Sequence, residues 1–211
     1  MMIAGCSEPM NKISTAHDGS LHLEISDGIT SVPITVDNSY FEISSLPKPE
    51  ERRVSGITFI VDMFSLKPSP LSASEDVKTI AIWYKFQIPH YIDKIVDPGF
   101  NNYYTMYRVE SKSFGLKKLS ITPTENLPAA RQDQSFILLR PKIENNGFDT
   151  LIECTKYNAT SKPLPCEMVI QFANSVTAFV HFNRHALKDW KKIRNAVERF
   201  SASIKIDKGS T

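Results

Sequence analysis

The sequence predicts an α+β protein, a mostly antiparallel β-sheet with an amphipathic C-terminal helix packed on it. Two observations indicate this class. Short segments with apolar residues at every second position recur along the chain, and Pro, Gly, Asn, Asp or Ser separate them, which is typical of half-buried strands joined by turns. A long apolar stripe at steps of three or four residues occurs only near the C-terminus, and such a helix must bury its stripe on a sheet.

Composition sets the size and class of the protein. Of 211 residues, 41% are hydrophobic and 23% are charged, which suits one globular domain with a sizeable core. The formal net charge is +2 and no basic run is present, so we expect no nucleic-acid partner. No stretch approaches the roughly 18 consecutive apolar residues of a transmembrane helix. We expect a tether over residues 1–20, a single domain over 21–206 and a disordered tail over 207–211.

Alternating patterns place the strands of the first half of the chain. In the segment 78–88, Ile80, Ile82, Tyr84 and Phe86 share one face, and Pro89 ends the strand. The same reading, with turn residues such as Asp27-Gly28 between the segments, predicts strands over 21–25, 32–36, 40–43 and 56–64.

The second half continues the pattern. A short helix is expected over residues 90–96, ended by Asp97-Pro98-Gly99. Strands are then expected over 103–109, 114–121, 135–141 and 148–157. Finally, the alternating segments 166–172 and 176–182 flank the three-residue turn 173–175 and predict a β-hairpin.

The hairpin leads into the predicted C-terminal helix. Asn183 is a candidate N-cap, because its short side chain can accept a hydrogen bond from a free backbone N–H. The basic residues, Arg194 among them, are expected mostly on the other faces. The apolar stripe consists of Leu187, Trp190, Ile193, Val197, Phe200 and Ile204.

The start of the chain contains a cysteine behind small residues. The segment Ile3-Ala4-Gly5-Cys6 resembles the lipobox of bacterial lipoproteins, in which a lipid is attached to the cysteine before the signal peptide is removed. A signal peptide needs a charged region and roughly 7–15 apolar residues. We therefore expect these regions to lie upstream of Met1 in the gene, with Ser7 favouring sorting to the outer membrane. In the alternative, Met1 is a true cytoplasmic start and the match is accidental.

The three cysteines support the first alternative. If Cys6 carries lipid, Cys154 and Cys166 remain as one pair. The residues between them contain two prolines, Asn and Ser, and so predict a turn between two strands. Such a hairpin brings two Cα atoms within the roughly 4.4–6.8 Å that a disulfide needs. The alternative is a pair of buried, reduced thiols that pack as small hydrophobes.

No motif for catalysis is present: the sequence lacks a nucleophile elbow, a phosphate-binding glycine loop and a zinc-binding His-Glu-x-x-His. His181 and His185 are four residues apart, but they fall in a predicted strand and the turn after it, so the helical spacing has no meaning. With Asp189 they are the best parts of any scattered enzyme site. We predict that the protein is not an enzyme and uses no cofactor or metal.

An aromatic stretch is the candidate surface for a protein partner. Tyrosine and arginine are enriched where one protein grips another. The alternative is a strand from 103 to 109 whose alternate residues point into the core. The candidate residues are Phe100, Tyr103, Tyr104, Tyr107 and Arg108.

The segment 166–206 and the lipobox resemble periplasmic immunity lipoproteins encoded beside type VI secretion effectors. The resemblance rests on Cys166 opening a strand, on Phe182-Asn183-Arg184 and on the spacing of Leu187 and Trp190. It implies a non-catalytic protein, anchored at the periplasmic face of a membrane through Cys6, that binds and neutralises a cognate effector toxin. The alternative is an envelope-maintenance lipoprotein that binds a lipid or an assembly partner.

Overall fold

The computed structural model describes residues 19–40, 53–70, 76–87, 91–96, 104–123, 134–141, 148–155, 165–172 and 176–206. Within these residues the chain forms two β-sheets, a short helix and a C-terminal helix. The predicted α+β class is confirmed. Cys6, most of the expected tether and the expected tail lie outside the described residues, so the predicted domain boundaries stay predictions.

The smaller sheet contains three strands in the order β2-β1-β3: β1 (Ser20–Ser26), β2 (Ser31–Asp37) and β3 (Arg53–Val54). β1 and β2 form an antiparallel hairpin. Its turn is closed by Asp27, whose Oδ1 accepts the backbone N–H of Ile29 at 2.9 Å and of Thr30 at 2.7 Å. Gly28, which follows Asp27 in this turn, adopts φ +93°, a conformation that favours glycine.

The chain leaves β2 through a short 3-10 helix at Asn38–Tyr40, where a strand over 40–43 was expected. This expectation is wrong at Tyr40, and 41–43 lie outside the described residues. The cause is local: Asp37 Oδ1 accepts the backbone N–H of Ser39 at 2.7 Å, which turns the backbone away from an extended path.

The larger sheet contains eight strands, antiparallel throughout, in the order β4-β5-β11-β10-β9-β8-β7-β6. The C-terminal strand β11 is inserted between β5 and β10, which places it in the middle of the sheet. The strands are β4 (Gly56–Asp62), β5 (Thr79–Phe86), β6 (Tyr104–Ser113), β7 (Leu116–Pro123), β8 (Gln134–Pro141), β9 (Phe148–Thr155), β10 (Pro165–Gln171) and β11 (Val176–Asn183).

A disulfide links two neighbouring strands of this sheet. Cys154 of β9 and Cys166 of β10 are directly opposite each other in the antiparallel register, and their sulfur atoms are bonded. Both cysteines are buried in the core. The pairing predicted from the sequence therefore agrees with the structure.

After β11 the chain turns into the C-terminal helix. Asn183 acts as the predicted cap, because its side chain accepts the backbone N–H of His185 at 3.0 Å. The helix begins as a 3-10 turn at Arg184–Asp189, which contains Leu187, and continues as α2 (Trp190–Ser203). All six residues of the predicted apolar stripe are buried.

The expected position of Arg194 is wrong. It was expected on an outer face of the helix, yet the residue is only 6% exposed. Its guanidinium donates to the backbone oxygen and the carboxylate of Asp149 and to Thr150, and it forms an ion pair with Glu198 at 2.8 Å. These acceptors replace water around the buried charge, which is why the charge can lie beneath the helix.

The core lies between one face of the larger sheet and a layer formed by α2 and the smaller sheet. Phe200 of α2 is its centre, with ring centroids 5.1 Å from Phe59, 5.3 Å from Tyr40 and 6.5 Å from Tyr84. The Tyr84 hydroxyl hydrogen-bonds to Ser201 Oγ at 2.7 Å, which satisfies a polar atom that is otherwise fully buried. Burial raises the pKa of Tyr84 well above its ordinary value.

The opposite face of the larger sheet contacts the short helix α1 (Tyr91–Val96), which lies against β9 and β10. The predicted helix over 90–96 is thus present from Tyr91. Ile92 is fully buried. This second face lies on the side of the sheet away from α2, and it contains the candidate site.

Candidate functional site

The candidate site is a cluster of aromatic and cationic side chains on the second face of the larger sheet. Successive residues of a strand point to opposite faces, so the residues between Ile82, Tyr84 and Phe86 of β5 point away from the core. Trp83 of β5 lies directly opposite Phe179 of β11, and their ring centroids are 5.7 Å apart. We name Trp83, Lys85, Tyr91 and Phe179 the Trp83 cluster.

Lys85 lies over both rings of this pair. Its Nζ is 4.2 Å from the centroid of the Trp83 ring and 4.5 Å from that of Phe179. A cation over an aromatic face is attracted by the ring quadrupole, most strongly over tryptophan. Among the described residues no carboxylate forms an ion pair with Lys85. Among the described residues, the ammonium group is therefore held by these two rings.

Gly56 makes room for the indole. It lies opposite Lys85 in the β4–β5 register. A Cβ added at Gly56 would be 2.6 Å from Trp83 Nε1 and 2.9 Å from the Tyr84 backbone oxygen, closer than real Cβ atoms approach. Trp83 can therefore adopt this position because a glycine occupies the neighbouring strand.

The rest of the cluster surrounds these groups. Tyr91 of α1 meets Phe179 edge-on, with centroids 5.8 Å apart. Phe179 is buried, whereas Trp83 is 38% exposed. The exposed part of the cluster is thus an indole and an ammonium group on the sheet.

The structure gives His181 and His185 different surroundings. His181 lies on the second face of β11 opposite Glu167 of β10, with Nε2 and Oε2 3.3 Å apart. His185 is exposed in the turn before α2. Asp189 pairs with Lys192 at 2.8 Å, and this hydrogen bond lowers the pKa of the Asp189 carboxyl. In the part of the chain that the structure describes, no group of three His, Cys, Asp or Glu residues could hold a metal ion.

The predicted aromatic partner surface is only partly within the described residues. Phe100 and Tyr103 lie outside them. Tyr104, Tyr107 and Arg108 belong to β6, at the opposite end of the sheet from β4. Tyr107 pairs with Ile121 and Arg108 with Ser120, so these two neighbours occupy positions on opposite faces. Partner binding by this stretch stays a prediction.

Sequence reasoning missed the Trp83 cluster, although one signal was present. The apolar stripe of β5 occupies its even-numbered positions, so a tryptophan at an odd position had to lie on the other face. Phe179 could not be paired with it, because β5 and β11 are far apart in the sequence.

A second surface feature lies on the α2 side of the molecule. A shallow groove of about 620 Å³ runs between the turn after β4 and the outer face of α2. Phe64 in this groove is 54% exposed. The lining residues are Met63, Phe64, Lys192, Asn195, Glu198, Arg199 and Ala202.

Neither a protein-family model nor a curated protein matches the sequence. Among the described residues, no helix is long and apolar enough to cross a membrane. One solved structure has a similar fold: that of Smlt3025, an immunity protein of the Stenotrophomonas maltophilia type IV secretion system. The similarity has a TM-score of 0.57 at 14% sequence identity and covers 87% of this chain and 92% of that chain. The resemblance in the C-terminal segment pointed to type VI secretion, whereas this neighbour belongs to a type IV system. The chain therefore shares the fold of a secretion-system immunity protein.

Proposed function

We propose that this protein is an immunity protein that binds a cognate secreted antibacterial effector and neutralises it without catalysis. The observation that carries the proposal is the similarity in fold to Smlt3025, because it extends over 87% of this chain. The resemblance of the C-terminal hairpin and helix to immunity lipoproteins supports the same function independently.

The proposed mechanism is occlusion of the effector's active site. Such inhibition needs no catalytic group in the inhibitor, only a surface that keeps its shape. The eight-stranded sheet, with α2 on one face and a disulfide between β9 and β10, provides a stiff support for such a surface. A rigid surface loses little conformational entropy on binding, which favours tight association.

We place the protein in the periplasm, anchored through a lipid on Cys6, with the outer membrane as the expected site. The Cys154–Cys166 disulfide supports export, because disulfides persist in the periplasm and are rare in the cytosol. The proposal includes an in-frame start codon upstream of Met1, followed by a segment of about fifteen apolar residues. Absence of such a segment in the gene would contradict the lipid anchor.

The genes that neighbour this one would identify the secretion system that delivers the effector. The resemblance of the C-terminal segment favours a type VI effector, and the immunity protein with the similar fold belongs to a type IV system. Both alternatives require the same property of this chain, which is specific binding to one effector. The effector encoded beside this gene is the partner to test.

The decisive experiment expresses that effector in the periplasm of a susceptible bacterium with and without this protein. We expect growth to be rescued. Rescue should persist when His181 and His185 are both changed to Ala, since we propose no catalysis, and it should be lost when export is blocked. Failure of the wild-type protein to rescue growth or to bind any neighbouring gene product would overturn the immunity function.

A further inference from the structure

We propose that the Trp83 cluster is the surface that contacts the effector, and that it receives an Asp or Glu side chain of the effector flanked by an apolar side chain. The inference rests on the proposed immunity function and adds to it the contact site and its chemistry.

The exposed composition of the cluster is that of a binding hot spot. Tryptophan and tyrosine carry a large share of the binding energy at protein interfaces, because they offer apolar area with a polar edge. Trp83 is 38% exposed on β5. An apolar side chain of the effector would cover its exposed ring.

The polar groups of the cluster define the charge of the partner. Lys85 has no carboxylate partner among the described residues, and its ammonium group lies over the Trp83 and Phe179 rings. The indole Nε1–H of Trp83 likewise donates to no acceptor among the residues described. A cation and a hydrogen-bond donor without acceptors complement a carboxylate, and a partner that excludes water would strengthen that interaction.

The cluster is also held in place before any partner binds. Trp83 lies against Gly56 of β4. Phe179 lies beside Trp83 and is only 5% exposed, and Tyr91 of α1 packs edge-on against Phe179. Because these rings are already immobilised, binding would cost little side-chain entropy.

The test measures binding of purified variants to the effector encoded beside this gene by calorimetry. We expect Trp83→Ala to weaken binding about 30-fold or more, as for a hot-spot residue. Lys85→Glu should weaken it about 100-fold, because it sets two like charges against each other. Lys85→Met, which keeps the alkyl chain on the rings, should cost about tenfold and isolates the charge.

Two controls on the α2 side match these variants. Lys191 also lies over a tryptophan, with Nζ 5.8 Å from the Trp190 ring centroid, but on the outer face of α2. Lys191→Glu and Phe64→Ala should change the dissociation constant by less than about threefold. Thermal unfolding checks that each variant is folded, and Lys85→Met carries the test if Trp83→Ala is unstable.

Charge reversal in the effector completes the design. An Asp→Lys or Glu→Lys variant of the effector should restore binding to Lys85→Glu. If the wild-type protein binds the effector and the Trp83 and Lys85 variants bind it equally well, the contact site is overturned while the immunity function stands. If the wild-type protein does not bind, the proposed function itself fails.

Discussion

At the scale of single residues, the burial of a polar side chain can depend on partners from another element of the fold. Arg194 is the clearest example, because Asp149 and Thr150 of β9 supply its acceptors and Glu198 lies one turn further along α2. Helical spacing alone could not predict this burial, since it does not reveal an acceptor on a distant strand.

Asp62 offers a test by pH. Its Oδ1 accepts the backbone N–H of Ser65 at 2.8 Å, the Ser65 hydroxyl at 2.9 Å and the backbone N–H of Phe64 at 3.1 Å. These hydrogen bonds, led by the one from the Ser65 backbone, favour the carboxylate and lower the pKa of Asp62 below its ordinary value. The unfolded chain therefore takes up this proton at a higher pH than the folded chain.

We predict that the stability contributed by the Asp62 carboxylate is fully present above about pH 4 and is lost as the pH falls through the folded-state pKa. The measurement is urea unfolding from pH 6 to pH 2.5 for the wild type and for Asp62→Asn, which keeps an acceptor but does not titrate. The wild type should lose more free energy of unfolding than the variant over this range. Parallel pH profiles would contradict the prediction.

At the scale of elements, α2 connects the sheet to the tip of a hairpin. Trp190 is 3% exposed, and its Nε1–H donates to the backbone oxygen of Phe114 at 2.9 Å. Phe114 and Gly115, at the tip of the β6–β7 hairpin, have φ of 54° and 76°, as a tight two-residue turn requires. The start of α2 thus fixes the turn between β6 and β7, which lie at one end of the larger sheet.

We predict that Trp190→Ala lowers the free energy of unfolding by about 3–5 kcal/mol, the usual cost of emptying the site of a large buried aromatic residue. Trp190→Phe keeps most of the packing and loses the hydrogen bond to Phe114, which should cost about 1–2 kcal/mol. Phe64→Ala, at an exposed site, is the control and should change the stability by no more than about 0.5 kcal/mol. A loss below about 1 kcal/mol for Trp190→Ala would mean that this face of α2 is not packed.

The disulfide belongs to the same scale, because it joins two adjacent strands at directly opposite positions. We predict that changing Cys154 and Cys166 to Ala lowers the free energy of unfolding by about 3 kcal/mol, since the bond restricts the unfolded chain. Urea unfolding measures this difference, and peptide mapping without reductant, on protein purified from periplasm, detects the bond. Two free thiols in that sample would refute the pairing.

At the scale of the whole molecule, one core joins both sheets and α2. Ile25 and Ile34 of the smaller sheet belong to the same buried cluster as Phe59 of the larger sheet and Phe200 of α2. The smaller sheet is therefore not expected to unfold on its own.

We predict a single cooperative unfolding transition. Trp83 and Trp190 lie on opposite faces of the larger sheet. The variant Trp190→Phe retains Trp83 as its fluorescent reporter, and Trp83→Phe retains Trp190, so the two variants report on both faces. Ile34→Ala, at a residue 1% exposed in the smaller sheet, should lower the free energy of unfolding by about 2–4 kcal/mol in both reporters. If Ile34→Ala leaves both fluorescence transitions unchanged, the smaller sheet unfolds independently.

The elements that can be predicted from the sequence are those whose signal is local. Alternation marked the core positions of β4 and β5, and the stripe from Leu187 to Ile204 marked the buried side of the C-terminal helix. The β10–β11 hairpin and the candidate cap Asn183 were equally readable, because each depends on residues close together in the chain. The same is true of the two opposed cysteines, whose sequence separation is only 12.

Strand neighbours, and the side chains that meet across them, follow from the packing of the whole chain. β11 pairs with β5, and this pairing alone places Phe179 beside Trp83 beneath Lys85. The burial of Arg194 likewise depends on β9 lying under α2. Periodicity fixes the face on which a residue lies, but contacts between distant segments depend on packing and loop closure over the whole chain, which no local pattern encodes.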